Sequence, residues 1–244
     1  RRIHNPEVVG SCPTPATNKG AEFRLLYLSE EQSAMSILLE ACCTSAEQAA
    51  RALEKGASRI ELCECMEVGG VTPSEDNISA TVALGLPVNV LVRPRGGNFV
   101  FSEEEERRML EDIRMCRRCG ASGVVIGALD PNGDIDMAMM ERLVAEARGE
   151  KGERRLSVTF HRAFDECRDP YSAFEQIVSL GCDRLLTSGQ KPTACEGREL
   201  IAGLVRKAAG RITVMPGAGI TPDNLESIAE STGAVEFHGT RICG

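Results

Sequence analysis

The sequence lacks a surplus of basic residues. Its 244 residues contain 28 Lys and Arg against 36 Asp and Glu, which gives a formal net charge of −8 at pH 7. A protein that binds nucleic acid needs a basic stripe that neutralises phosphates. The composition therefore argues against a nucleic-acid partner. A small anion remains compatible with it, because a local cluster of arginines can outweigh the net charge.

Long apolar runs and a disulfide pattern are also missing from the sequence. No stretch approaches the ~20 apolar residues that a membrane-spanning helix needs, so we expect no membrane partner. The 11 cysteines are odd in number and scattered through predicted strands and helices, which is unlike a disulfide scaffold. We therefore expect a cytoplasmic protein with reduced thiols, some of them available to a metal.

What the sequence does contain is a regular alternation of short apolar runs and amphipathic stretches, beginning at Ile37. Phrases such as Lys55-Gly-Ala-Ser-Arg-Ile recur where a helix passes into a strand. Eight strands and seven helices follow from this alternation, and they predict an α/β fold of the (β/α)₈ TIM-barrel type. The eighth helix is expected to be missing from this chain. We predict one barrel domain over residues 35–244 and a loosely ordered N-terminal extension over residues 1–34.

Polar residues cluster near the C-terminal ends of the predicted strands, where barrel enzymes and binding proteins carry their sites. Because side chains alternate along a strand, residues two apart share a face. Four such pairs are predicted to face the barrel interior: Glu40 with Cys42, Glu61 with Cys63, Thr159 with His161, and Glu236 with His238. Burying ionisable groups inside a barrel costs folding free energy unless they form ion pairs, and such groups otherwise indicate a functional site. For any single one of these residues, the alternative explanation is a structural role in a polar barrel core.

Cys42 and Cys63 end two successive predicted strands. If those strands pair, their thiols lie roughly 5 Å apart at ordinary strand spacing. Two thiolates at that distance suit a soft ion such as Cu(I), so we predict both as metal ligands. A zinc site is disfavoured, because no second Cys/His pair stands at the usual spacing. The alternative is that both are small buried hydrophobic residues.

A Gly-rich turn at Gly217 and Gly219 enters a helix after the seventh strand. Such loops commonly bind phosphate through backbone N–H groups, although the glycines could serve the turn alone. Arginines would supply the counter-charge for a phosphate or carboxylate. The predicted ligand-binding residues are Glu40, Arg93, Arg95, Thr187, Ser188, Gly217, Gly219 and His238.

Catalysis is the competing function for the same polar strand ends. An enzyme of unknown reaction that acts on a small anionic metabolite would use general acids and bases. The candidates are Glu61, His161, Asp165 and Glu236. No organic cofactor is predicted. A third alternative is a scaffold that works through subunit contacts, and a homo-oligomer of two or more copies is expected.

Taken together, these residues resemble the CutC copper-homeostasis family. The resemblance covers roughly Leu38 to Thr240 and is carried by several phrases, among them Glu40-Ala-Cys42, Arg59-Ile-Glu-Leu-Cys63, Val92-Arg-Pro-Arg-Gly-Gly97 and Val158-Thr-Phe-His-Arg-Ala-Phe-Asp165. It implies a cytoplasmic TIM-type barrel linked to copper tolerance and Cu(I) binding. The copper thiols proposed for the family fall on Cys42 and Cys63. Two local departures are Ala218, where the family usually has Gly, and Ser58, which replaces a common Asp.

Overall fold

The computed structural model describes residues 37–244. The predicted extension over residues 1–34 lies outside these described residues. Eight strands and seven α-helices alternate along the described chain, as the sequence predicts. The strands are β1 (Leu38–Cys43), β2 (Arg59–Leu62), β3 (Val88–Leu91), β4 (Gly123–Ile126), β5 (Ser157–Phe160), β6 (Arg184–Thr187), β7 (Thr213–Pro216) and β8 (Glu236–Gly239). The helices are α1 (Ala46–Glu54), α2 (Glu75–Val82), α3 (Glu103–Arg118), α4 (Met137–Arg148), α5 (Pro170–Ser179), α6 (Arg198–Ala208) and α7 (Pro222–Thr232).

The strands form one parallel sheet in the order β7-β6-β5-β4-β3-β2-β1-β8. β1 therefore pairs with both β2 and the last strand, β8. Pairing of the first strand with the last closes a sheet into a barrel. β7 and β8 lie side by side at the remaining seam. The prediction of a TIM-type barrel is confirmed. Within residues 37–244, no helix combines the length and the apolar character of a membrane span.

Local sequence signals explain where the helices begin. Ser102 forms a capping box with Glu105: the Glu105 N–H donates to Ser102 Oγ at 3.2 Å, and the Ser102 N–H donates to Glu105 Oε2 at 2.8 Å. Two exposed donors of the first turn are satisfied in this way. Pro170 and Pro222 open α5 and α7, where a missing N–H costs nothing.

The apolar core lies between the sheet and the helices. Side chains on the outer face of the strands, such as Ile60, Leu62, Val90 and Phe237, are fully buried there. The inner face of the barrel is different, because buried polar and charged groups occupy much of it. The period-two alternation in the sequence therefore separates an apolar packing face from a polar lumen.

The lower part of the lumen holds an ion-pair network, which we call the floor network (Glu40, Arg59, Asn89, Arg184 and Glu236). Arg59 Nε donates to Glu40 Oε2, and Arg59 Nη2 donates to Glu236 Oε2 at 2.7 Å. Arg184 Nε donates to the same Glu236 oxygen at 2.7 Å, and Asn89 Nδ2 donates to Glu40 Oε2 at 3.0 Å. Glu40 and Arg59 are buried and Arg184 and Glu236 are partly buried, and each of these charges has a partner, which buried charges require.

Arg59→Met should be strongly destabilising, because it leaves the buried Glu40 carboxylate without its guanidinium. Breaking one side of a buried ion pair costs about 3–5 kcal/mol of unfolding free energy. The control is Arg51→Met, which breaks an exposed pair with Glu47 (3.3 Å) and should cost less than about 0.5 kcal/mol. Urea denaturation of both variants measures the difference. Equal losses in the two variants would show that the floor network carries no special weight.

Candidate functional site

A cavity of about 280 Å³ opens at the C-terminal ends of the strands. The barrel strands deliver their last inward-facing side chains to it, as the sequence analysis expects. The predicted residues that line it are Cys42, Glu61, Cys63, Arg93, His161, Gly219 and His238. We call this cavity the mouth.

One wall of the mouth carries sulfur. Cys42 Sγ and Cys63 Sγ are 3.8 Å apart, closer than ordinary strand spacing suggests. Met66 Sδ lies 3.3 Å from Cys63 Sγ, so three sulfur atoms meet. We call Cys42, Cys63 and Met66 the sulfur cluster. β1 supplies Cys42, the residue after the end of β2 is Cys63, and the short 3₁₀ turn Met66–Val68 supplies the thioether.

The surroundings of Cys42 favour its neutral thiol when the sulfur cluster holds no cation. The hydrogen bond shared with Cys63, burial and the negative charge of Glu61 raise the pKa of Cys42 well above its usual value. A thiol must lose its proton to become a good metal ligand. A bound cation would supply the positive charge that makes this deprotonation favourable.

Next to the sulfurs, β1, β2 and β8 bring two carboxylates to one imidazole. The strand register places His238 beside Glu40 and Cys42 beside Glu61. His238 Nδ1 lies 3.0 Å from Glu40 Oε1 and 3.8 Å from Glu61 Oε2. Ligand atoms of Cys42, Glu61 and His238 all lie within 4.8 Å of one another, so these three could also hold a metal ion.

The two carboxylates differ in their affinity for protons. Burial alone would raise the pKa of Glu40, but the His238 hydrogen bond and the Arg59 charge lower it to about 2. Glu61 accepts no comparable hydrogen bond from His238 or Arg59. Burial therefore raises its pKa to about 7, although the charges of His238 and Arg59 oppose the shift. Burial lowers the pKa of His238, but Glu61 and Glu40 outweigh it and the net shift is upward. The group is therefore a charged Glu40–His238 pair beside a carboxyl group that titrates near neutrality.

A second wall of the mouth carries Arg93, Phe99 and His161. Burial and the Arg93 charge lower the pKa of His161 to about 3, which keeps its imidazole neutral. The Arg93 guanidinium stacks 4.7 Å from the Phe99 ring centre, and the His161 ring lies 4.9 Å from the same ring. This wall combines a fixed positive charge with a neutral ring.

Asp165, Thr187 and Ser188 are predicted site residues that the structure joins to one another beside the mouth. Asp165 Oδ1 accepts a hydrogen bond from Thr187 Oγ1 at 2.5 Å, and Asp165 Oδ2 accepts one from the Ser188 N–H at 3.0 Å. Arg162 Nε donates to the same Asp165 carboxylate at 2.8 Å. These contacts tie the turn after β5 to the end of β6, and none of the three predicted residues lines the mouth.

Four further predicted residues also lie outside the lining of the mouth, and one of them is Glu40 of the floor network. Arg95 Nε donates to Glu105 Oε1 at 2.6 Å, at the start of α3. Glu236 is the first residue of β8 and lies in the floor network, below the mouth. Gly217 faces the lumen, where a Cβ would come within 2.5 Å of Leu186 Cδ1, so packing alone accounts for a glycine there. Gly219 does line the mouth, in a positive-φ turn (+76°).

Met66 and Phe99 are two mouth residues that the sequence did not predict. Met66 stands three residues after Cys63, a spacing at which a turn can fold the thioether back onto the thiol. Phe99 follows the Arg93-Pro-Arg-Gly-Gly phrase by two residues. The Cys-x-x-Met spacing could have been found in the sequence, whereas the stacking of Phe99 depends on how the loop closes.

Glu61 should make the stability of the protein depend on pH. Its folded-state pKa of about 7 lies above the ordinary value of 4.5, so unfolding between these values releases a proton. The free energy of unfolding therefore falls as pH rises through this window, and it levels off above about pH 7. Glu61→Gln should remove a fall on the order of 3 kcal/mol. Urea denaturation from about pH 4.5 to about pH 8 measures it, with the exposed Glu67→Gln as the control; parallel wild-type and Glu61→Gln curves would contradict it.

Comparison with known proteins assigns a family to this fold and mouth. The CutC family model matches residues 37–243. A CutC family protein of Parabacteroides distasonis is 47% identical over 206 residues, covering 84% of this chain and 82% of that protein. One of Pasteurella multocida is 47% identical over 201 residues, covering 82% and 80%.

A solved structure gives the same result. The candidate copper homeostasis protein CutC of Streptococcus agalactiae superposes with a TM-score of 0.79 at 36% identity, covering 84% of this chain and 99% of that one. The fold, the sequence match across the whole barrel and the resemblance of the strand-end phrases therefore agree. The chain belongs to the CutC family.

Proposed function

We propose that this protein binds Cu(I) through Cys42, Cys63 and Met66, as part of copper homeostasis. The observation that carries the proposal is the convergence of three sulfur atoms at one wall of the mouth, with Sγ–Sγ and Sγ–Sδ separations of 3.8 and 3.3 Å. Thiolate and thioether sulfurs are the soft ligands that Cu(I) prefers, and few of them suffice for it.

A second group of possible metal ligands lies beside the sulfurs. Cys42 Sγ lies 4.0 Å from Glu61 Oε1, so a carboxyl group stands beside the thiols that must lose protons. Glu61 and His238 would be preferred by a harder ion such as Zn²⁺ or Cu²⁺, which accepts oxygen and nitrogen ligands. The proposal therefore separates the sulfur cluster from the mixed group of Cys42, Glu61 and His238.

The role in copper homeostasis rests on the family. The Streptococcus agalactiae relative is described as a candidate copper homeostasis protein, and we extend that role to this chain. A cytoplasmic location and a homo-oligomeric assembly remain predictions from the sequence. So does the alternative function, an enzyme of unknown reaction that acts on a small anionic metabolite. Of its four candidate acid/base residues, only Glu61 and His161 line the mouth.

Cys42→Ser and Cys63→Ser should each weaken Cu(I) binding by on the order of 100-fold or more, because each removes a charged thiolate ligand from a partly buried site. Met66→Leu should weaken it by about tenfold, since the thioether is an uncharged ligand. Titration of the reduced protein with Cu(I) against a chromogenic chelator measures all three affinities.

Two control variants sharpen this titration. Cys65→Ser removes an exposed thiol two residues from Cys63 and should leave the affinity unchanged. Glu61→Gln should change it by less than about threefold, because carboxylate oxygen is a poor ligand for a soft ion. Wild-type affinity in both Cys42→Ser and Cys63→Ser would refute the proposal. A loss in Glu61→Gln as large as that in Cys63→Ser would assign the ion to the mixed group instead.

A further inference from the structure

The wall that carries Arg93, Phe99 and His161 holds a positive charge with no salt-bridge partner among residues 37–244; the charge of Glu166 acts on Arg93 only from beyond salt-bridge distance. Arg93 is 6% exposed, and among residues 37–244 no carboxylate forms a salt bridge with it. The other buried arginine of the lumen, Arg59, has two carboxylate partners. A buried charge without a counter-ion is unfavourable, so its presence indicates a functional site.

Backbone carbonyls occupy most of the donors of Arg93. Its Nη1 donates to the carbonyl oxygens of Gly69 and Gly70 at 3.1 Å each, and its Nη2 donates to that of Gly97 at 2.6 Å. These contacts fix the guanidinium in place but do not neutralise it. Its Nε is buried and has no hydrogen-bond partner among the described residues. The Nε–H of a fixed cation therefore has no protein acceptor within residues 37–244.

His161 presents a second donor without a partner. The Ala163 N–H donates to His161 Nδ1 at 3.1 Å, so Nδ1 is an acceptor and the proton of the neutral ring lies on Nε2. His161 Nε2 is buried and has no partner in the described part of the chain. An unsatisfied buried donor costs about 1–3 kcal/mol, which a bound acceptor would remove.

Both residues line the mouth and pack against the same aromatic ring. Phe99 contacts the Arg93 guanidinium on one side and the His161 ring on the other, at 4.7 and 4.9 Å between centres. Leu91, Leu186 and Ile220 add apolar surface to the mouth. A pocket with apolar walls and a few polar groups of one kind is typical of a small-molecule site.

We propose that Arg93 and His161 form a binding site for the carboxylate group of a small organic acid, separate from the sulfur cluster. The fixed charge selects an anion, and the two N–H groups act as donors to its oxygens. A carboxylate suits two donors and one charge better than a phosphate, whose dianion calls for more of both. The volume of about 280 Å³ limits the ligand to a small molecule. No copper ligand takes part, so this proposal does not depend on the proposed function.

The test is a calorimetric titration of metal-free, reduced protein with acetate and pyruvate, and with acetamide as the uncharged analogue of acetate. The two carboxylates should bind saturably, and acetamide should bind at least about tenfold more weakly than acetate. Inorganic phosphate should also bind more weakly than either carboxylate. Saturable binding by neither carboxylate, or acetamide or phosphate binding as well as they do, would overturn the proposal.

Two variants locate the site. His161→Asn keeps an acceptor for the Ala163 N–H but removes the Nε2 donor, and Arg93→Lys keeps the charge but removes Nε–H. Each should weaken pyruvate binding by about tenfold, the effect of one hydrogen bond to a charged group. Arg114→Gln, at an exposed residue of α3 that pairs with Glu146, should bind pyruvate as the wild type does. Unchanged binding in His161→Asn would overturn the assignment.

A direct readout guards against indirect effects of the variants. The ¹⁵N-labelled imidazole of His161 should show a shift of its Nε2 resonance on addition of pyruvate, and slower exchange of the Nε2 proton with water. A structural effect of the variants alone would not produce this signal in the wild-type protein. A resonance that stays in place while pyruvate binds would show that the ligand sits elsewhere, and it would overturn the proposal.

Discussion

The sharing of Glu40 between Arg59 and His238 is the interaction on which the rest of the lumen depends. One carboxylate oxygen accepts from Arg59 in the floor network, and the other lies 3.0 Å from His238 at the mouth. The floor network therefore sets the position of His238, and His238 in turn stands beside Glu61. Burial of these groups is tolerable because each is paired, and the pairing leaves Glu61 as the carboxyl group that titrates near neutrality.

The mouth divides into two walls of different chemistry, with Glu61 and His238 near the sulfurs. Cys42, Cys63 and Met66 offer soft, polarisable atoms, whereas Arg93 and His161 offer N–H donors. A soft metal ion requires sulfur ligands, whereas an organic anion requires positive charge and N–H donors. A single uniform pocket would therefore bind neither well. The two sets of side chains come from different segments of one barrel, and they are linked because Arg93 binds carbonyls of the loop that carries Met66.

Much of the fold, but less of the candidate site, could be predicted from the sequence. Period-two alternation placed Glu236 and His238 on the same face of β8 correctly, and both face the lumen. It could not give their depth, because strand tilt and stagger in a closed barrel decide which side chains reach the mouth. Glu236 lies in the floor network for this reason. Asp165 is similar: its hydrogen bonds to Thr187 and Ser188 depend on a turn that meets the next strand, which no local pattern shows.

The carbonyl contacts of Arg93 have a consequence for entropy. By holding the Gly69, Gly70 and Gly97 carbonyls, one side chain orders the loops that follow β2 and β3. The first of these loops also carries Met66. Loop residues that are already ordered lose little conformational freedom when a ligand arrives. The entropic cost of shaping the mouth is thus met during folding, and a visiting ion or molecule encounters a surface that is already in place.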